Sequence, residues 1–325
     1  MKKLIALLLV SVMVLGLFTF VGCNKEEPLK LGLGVTTTAK ASDATAEKAG
    51  QGQATTTAAA VLVDADGKIV KAFIDCADNT VDYTAEGTAV KVESFKTKYE
   101  SGKDYGMVAY GGSAKEWYEQ ADAFCALVAG KTVDEVKALV AADTKGTEEV
   151  LNAGCTIYVG DFAKAIENAV ANAVESEATE SSTLKLTAAT TQTATDATAE
   201  KPGSNKVATT FFAAAVDAEG KVVAASSDCV EVSFGFDITG KSTFDATKAI
   251  SSKKTQGADY GMVAYAGSAK EWFEQAAAFD AACIGKTASE INSLMASDGK
   301  GNADLVAAGC TIYVTDFVKA AAKIG

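Results

Sequence analysis

Cysteine is the most reactive residue type in this 325-residue chain, and its spacing follows an internal duplication. Cys76 matches Cys229 and Cys155 matches Cys310, whereas Cys125 and Cys283 stand on neighbouring turns of one helical stretch, and Cys23 stands apart near the N-terminus. In an oxidising compartment the two in-register pairs are candidate disulfides, Cys76–Cys155 and Cys229–Cys310. Buried free thiols acting as small hydrophobes are the other reading. No CxxC spacing occurs, which argues against metal clusters and thioredoxin-like redox work. The chain has no His and no Arg. Ser-His-Asp and Cys-His nucleophile pairs are therefore excluded, the common zinc sites lose their imidazole ligand, and bidentate guanidinium clamps are absent. With only carboxylates and lysines left for acid–base work, a carrier or binding protein fits better than an independent enzyme.

The elements that must position any site are dominated by one stretch that occurs twice. Asp104–Phe124 reads DYGMVAYGGSAKEWYEQADAF and Asp259–Phe279 reads DYGMVAYAGSAKEWFEQAAAF, identical at 18 of 21 positions. Ser113 precedes Glu116 by three residues, as Ser268 precedes Glu271, the spacing of a capping box that opens a helix. Trp117, Ala121, Phe124, Cys125 and Val128 then share one helical face, with Gly130 as the stop. Trp117 and Trp272 read as core residues. The preceding Tyr105-Gly106-Met107 and Tyr260-Gly261-Met262 form a loop that could line a flat ligand or close over a core.

The N-terminus supplies an address. Lys2 and Lys3 lead into an apolar run from Leu4 to Phe20, ended by Val21-Gly22-Cys23. This resembles a bacterial lipoprotein signal peptide over residues 1–23, with Cys23 as the lipidated first residue of the mature protein and residues 24–28 as a tether. The run is short for a membrane span and has an acidic flank in Glu26 and Glu27. The implied location is the outer face of the cell membrane, held by lipid. The formal charge of −12 becomes −14 once Lys2 and Lys3 are removed, and such a chain repels nucleic acid. Nearly half the residues are apolar, enough for real cores.

Asp43-Ala-Thr-Ala-Glu47 recurs as Asp196-Ala-Thr-Ala-Glu200, an offset of 153, which becomes 155 from Asp104 onward. The expected organisation is repeat domain 1 over 29–174, a polar linker over 175–183 and repeat domain 2 over 184–325, each folding independently. Within each unit an extended segment (Leu29–Thr38) precedes a β-hairpin, Thr55–Val63 and Lys68–Asp75 around Asp64-Ala-Asp-Gly67, matched by Thr209–Val216 and Lys221–Asp228. The Trp helix follows, then a helix opened by Thr132 and Glu135 (Thr287 and Glu290), then AGCTIYVGDF at Ala153–Phe162 (AGCTIYVTDF at Ala308–Phe317) leading into a last helix. Strands first and helices after predict the α+β class: two tandem duplicated domains, each an antiparallel hairpin-based sheet packed with about three helices.

The Gly154-Cys155-Thr156 and Gly309-Cys310-Thr311 turns, with the duplicated layout and the lipid-anchored cysteine, resemble tandem FMN-binding-domain surface lipoproteins of anaerobic Gram-positive bacteria, which transfer electrons outside the cell. In that family a Ser/Thr-Gly-Ala-Thr motif presents its last Thr for phosphoester attachment of FMN. This chain has Ala153 and Ala308 at the first position and Cys155 and Cys310 at the third. The resemblance implies FMN on Thr156 and Thr311, with Gly154 and Gly309 shaping the turn, and a flavin transferase and a membrane electron donor as partners. Backbone N–H groups could hold phosphate where Arg is missing. The alternative is a cofactor-free cell-surface binding or structural module.

Overall fold

A computed structural model describes residues 26–325, so the leader and Cys23 lie outside the described residues. The first repeat opens with three long strands, β1 (Leu29–Ser42), β2 (Gly50–Val63) and β3 (Ile69–Tyr83). Five helices follow: α1 (Lys98–Ser101), α2 (Trp117–Val128), α3 (Val133–Lys137), α4 (Glu148–Ala153) and α5 (Gly160–Ala171). After a short strand β4 (Val174–Ala178), the second repeat gives β5 (Thr183–Thr195), β6 (Gly203–Val216) and β7 (Val222–Phe236). Its helices are α6 (Lys253–Gln256), α7 (Trp272–Cys283), α8 (Ala288–Ile291), α9 (Ala303–Ala307) and α10 (Thr315–Ala321). The fold is α+β, with two antiparallel sheets ordered β3-β2-β1-β4 and β5-β6-β7.

The strands are apolar on both faces, and each face has its own partner. Along β2, Ala59, Val61 and Val63 face the helices with Trp117, Phe124 and Ile166. The alternate residues Ala58, Ala60 and Leu62 join Leu31 and Leu33 in a second core that also holds Leu186, Phe211 and Ala213 of the other repeat. The two sheets therefore pack face to face with helices outside, a four-layer arrangement in which side chains on alternate strand positions serve two different cores. Gly32 and Gly34 let α5 lie directly on β1, since a Cβ at either would run into the helix backbone at Ala169 or Ala165.

Polar contacts across the sandwich follow the same pseudo-twofold relation. Ala44 N donates to Gly240 O at 2.8 Å, and the equivalent Ala197 N donates to Gly87 O at 2.8 Å. Asp43 accepts from Ser242 N (2.8 Å), as Asp196 accepts from Ala89 N (2.9 Å). The recurring Asp-Ala-Thr-Ala-Glu segments are thus the mutual clasp of the two repeats.

Two sequence expectations change. The linker 175–183 is mostly strand: β4 pairs with β1 through Leu29↔Ala178 and Leu31↔Val174, and only 179–182 turn. A largely exposed edge strand carries no alternating apolar pattern, so it reads as polar loop. Each repeat also buries one face of its sheet against the other repeat. The Trp helix begins at Trp117 rather than beside Ser113, with Glu116 as N-cap and Glu119 completing the capping box. Ser113 instead donates to Lys115 O and accepts from Gln120 Nε2. The boxes at Thr132/Glu135 and Thr287/Glu290 form as expected.

Candidate functional site

Each repeat holds a pocket between its sheet and its helices, and the pocket is built by the duplicated stretch. On β3, Asp75 Oδ1 accepts from its neighbour Cys76 N (2.6 Å) and from Tyr99 N in α1 (3.1 Å), pinning that short helix to the sheet. Asp228 does the same in β7, taking Cys229 N at 2.7 Å and Lys254 N of α6 at 3.1 Å. Burial raises the pKa of both carboxyls, Asp75 to about 7. The first residue of each pinned helix, Lys98 or Lys253, then reaches into the pocket.

Lys253 Nζ lies 3.0 Å from Glu231, 4.9 Å from the Tyr260 ring centroid and 5.6 Å from that of Trp272. Lys98 repeats this with Asp78 at 3.7 Å, Tyr105 at 5.0 Å and Trp117 at 5.8 Å. Burial opposes the charge on each lysine, but the surrounding thiol, phenol and carboxylate outweigh it, and both pKa values lie above that of an ordinary lysine. These are fixed ammonium groups held over aromatic faces, a geometry worth up to about 2 kcal/mol when desolvated. Beside them Cys76 and Cys229 line the pockets, and burial pushes each thiol up to about 12, so both stay protonated at neutral pH.

The loop before the Trp helix forms the lid. Glu116 accepts from Met107 N (3.0 Å) and Val108 N (3.4 Å), as Glu271 accepts from Met262 N (2.9 Å) and Val263 N (3.2 Å). Gly106 and Gly261 sit at φ +79° and +80°, and a Cβ on either would meet the ring of Tyr110 or Tyr265 folded over it. Those tyrosines are 91% and 89% exposed.

Gln120 and Gln275 tie the lid to the Gly-Cys-Thr turn. Gln275 Oε1 accepts from both Thr311 N (2.8 Å) and Thr311 Oγ1 (2.9 Å), while its Nε2 donates to Ser268 Oγ (3.0 Å) and Lys270 O (3.0 Å). Gln120 makes the matching set with Thr156, Ser113 and Lys115. Sequence reasoning missed this glutamine. Its signal was a polar residue kept in both copies on the buried side of an otherwise apolar helix face.

The two pockets differ in size, about 870 Å³ in the second repeat and about 300 Å³ in the first. Two differences between equivalent positions of β2 and β6 lie at the pockets. In the first repeat Asp78 accepts from Gln53 Nε2 (2.7 Å) and Thr55 Oγ1 (2.9 Å), and the three side chains fill the space. In the second, Ala208 replaces Thr55 and leaves the floor open, while Lys206 replaces Gln53 and stands 3.6 Å from Glu231. Asp316 on α10 closes the far side: Oδ2 accepts from Thr191 Oγ1 at 2.8 Å, while the buried Oδ1 has no hydrogen-bond partner and only Lys319 Nζ at 4.0 Å. Burial raises the Asp316 pKa.

Of the residues singled out in the sequence, Thr311 lies on the lining of the larger pocket. Thr156 is off the lining of the smaller one, although its neighbour Ile157 is on it. Gly154 and Gly309, at φ +94° and +98°, make the turns that follow α4 and α9 and touch neither pocket. The expected bridges are not formed: Cys76, Cys155, Cys229 and Cys310 are all free thiols. Cys76 faces Lys98 and Thr57, whereas Cys155 sits beside Cys125 and the Ile157 backbone, so the in-register pairs occupy different parts of the core. Cys23 lies outside the described residues.

No family model matches the chain, and neither a curated protein nor a solved structure matches it. Among the described residues no group of three metal-ligating side chains occurs, and no helix is long and apolar enough to cross a membrane.

Proposed function

We propose that the chain is a binding protein, displayed outside the cytoplasmic membrane on a lipid attached at Cys23, whose site is the second-repeat pocket. One observation carries this reading: the stretch kept nearly unchanged by duplication builds the wall and lid of a pocket in both halves. A volume of about 870 Å³ with aromatic walls and a few convergent polar groups falls in the range of small-molecule sites, which supports this reading. Because Trp272 lines it, small-molecule binding should change tryptophan emission. The test is titration of the mature chain against ligand panels with Ala208→Thr as control, in which binding unaffected by that substitution would place the site elsewhere. Cys23→Ala should release the protein from membranes or leave its precursor unprocessed, and unchanged processing and fractionation would exclude the lipid anchor.

A second reading, an FMN-carrying electron-transfer lipoprotein, is favoured by one specific feature. Thr311 presents an exposed side chain on the lining of a pocket walled by Tyr260, Tyr265 and Tyr313. These residues suit a flat ring system, and FMN when bound would supply one- and two-electron chemistry. In the chain itself Gln275 would orient the Thr311 hydroxyl, and Lys300 is the nearby pocket cation in place of arginine. The first repeat suits FMN poorly, since its cavity is about 300 Å³ and Thr156 is off its lining. After co-expression with a flavin transferase, the mass should therefore rise by one phosphoester-linked FMN, lost in Thr311→Ala. Modification of Thr156 alone would overturn this assignment.

A further inference from the structure

We infer that the second-repeat pocket takes a neutral sugar ring, so that the protein's ligand is an uncharged oligosaccharide. This rests on the binding reading above and narrows it by what each pocket group still has free. Two of the three pocket lysines are already engaged: Lys253 is 3.0 Å and Lys206 3.6 Å from Glu231, while Lys300 Nζ lies 5.6 Å from the Tyr313 ring centroid and has no ion-pair partner among the described residues. An anionic ligand would have to displace these contacts and approach Glu231 and Asp316. A cationic ligand would enter a pocket holding three lysines against two carboxylates, a net positive charge. With two of its lysines held by Glu231, the pocket has little unbalanced charge to offer an ionic ligand.

One acceptor at the pocket lacks a donor. Asp316 Oδ1 is buried without a hydrogen-bond partner, with only Lys319 Nζ at 4.0 Å, while its other oxygen is held by Thr191, and an unsatisfied buried acceptor of this kind is destabilising. A ligand hydroxyl donating to Oδ1 removes that destabilisation. Thr193, Thr210 and Thr315 also line the pocket with hydroxyls, of which Thr315 Oγ1 already donates to Gly299 O (3.3 Å) and is left to accept. At the mouth stand two exposed aromatic rings, Tyr265 at 89% and Tyr313 at 67%. Their electron-rich faces suit the C–H face of a pyranose, which has hydroxyls around its edge and carbon-bound hydrogens on its faces. A purely apolar ligand would use the tyrosines and leave Asp316 and the threonines unpaired. A polyhydroxylated ring uses both.

The experiment is titration of the full mature chain with neutral hexasaccharides of glucose and of N-acetylglucosamine, and separately with FMN, followed by tryptophan emission and calorimetry. At least one hexasaccharide should bind with affinity nearly constant from low to high salt, as expected for an uncharged ligand. Tyr265→Ala, which removes an exposed ring, should weaken binding about tenfold while leaving the melting temperature unchanged. Asp316→Asn keeps an acceptor for Thr191 and should weaken binding several-fold. Saccharide binding indifferent to both substitutions would overturn the inference. So would FMN binding without saccharide binding, an outcome that leaves the pocket reading standing. Binding of neither would overturn both.

Discussion

Tyr83 stacks on its own counterpart in the other repeat, Phe236, with ring centroids 4.4 Å apart and planes 8° from parallel. The two residues end β3 and β7 and meet across the pseudo-twofold axis, so the strand ends of one repeat are completed by the other. Phe211, Leu33 and Leu62 are likewise buried in the core shared between the sheets. The two repeats thus share one core between their sheets, and each has a pocket on its helix side.

Fragments 29–174 and 184–325 should therefore lack cooperative melts when made separately and recover one when mixed. Each would expose an apolar sheet face that burial normally removes from water, a loss far larger than the stability of a typical domain. Two fragments that each melt sharply alone would contradict this.

Phe211→Ala removes a fully buried ring between the sheets and should cost about 3–5 kcal/mol. Trp117→Ala, which removes a T-shaped contact with Phe162 at 5.6 Å, should cost about as much. In both variants calorimetry should show one transition moving as a whole. A split into two transitions, with only one displaced, would mean that the repeats fold separately.

Stability should fall as pH rises from about 4 to about 7. Burial raises Asp75 from an ordinary 3.8 to about 7 and Asp280, held by Ser227, to about 6. With these pKa values higher in the folded than in the unfolded state, the native protein holds the protons more tightly. The resulting stability is fully present below the unfolded value and lost as pH passes the folded one. Asp75→Asn, which keeps an acceptor for Tyr99 N, should flatten the upper part of the profile in thermal melts at stepped pH. A variant as pH-dependent as the parent would remove Asp75 from the account.

The two pockets should interconvert in size. Thr55→Ala should open the first-repeat pocket and Ala208→Thr should narrow the second, shifting ligand capacity toward or away from two sites per chain. Calorimetric stoichiometry reads this directly. An unchanged stoichiometry in Thr55→Ala would show that Gln53 and Asp78 suffice to close the first site.

Much of the fold was legible because local rules and global packing agree. The Asp64–Gly67 turn, with Gly67 at φ +81°, and the Thr132/Glu135 box stand where their residue types require. The order of strands before helices was legible for the same reason. The face-to-face packing was not, since a strand buried on both faces, such as β2, shows a continuous apolar run that does not say what covers the second face. At the site, Thr311 and the aromatic loop could be named in advance. Lys253, Gln275, Ala208 and Asp316 could not, because each matters through a partner distant in sequence: Glu231, Thr311, Thr55 by comparison, and Thr191.

Methionine offers the most direct test of the pockets. Three of the five methionines follow Cys23: Met107 lines the smaller pocket, Met262 lines the larger, and Met295 packs into the second-repeat core on neither lining. With methyl-labelled mature protein, titration with the hexasaccharides or FMN should move the Met262 resonance and leave Met295 in place. Met107 should respond only in the Thr55→Ala variant. A bound ligand that leaves Met262 unmoved, or shifts Met295 as much, would contradict a binding site built by the duplicated stretch.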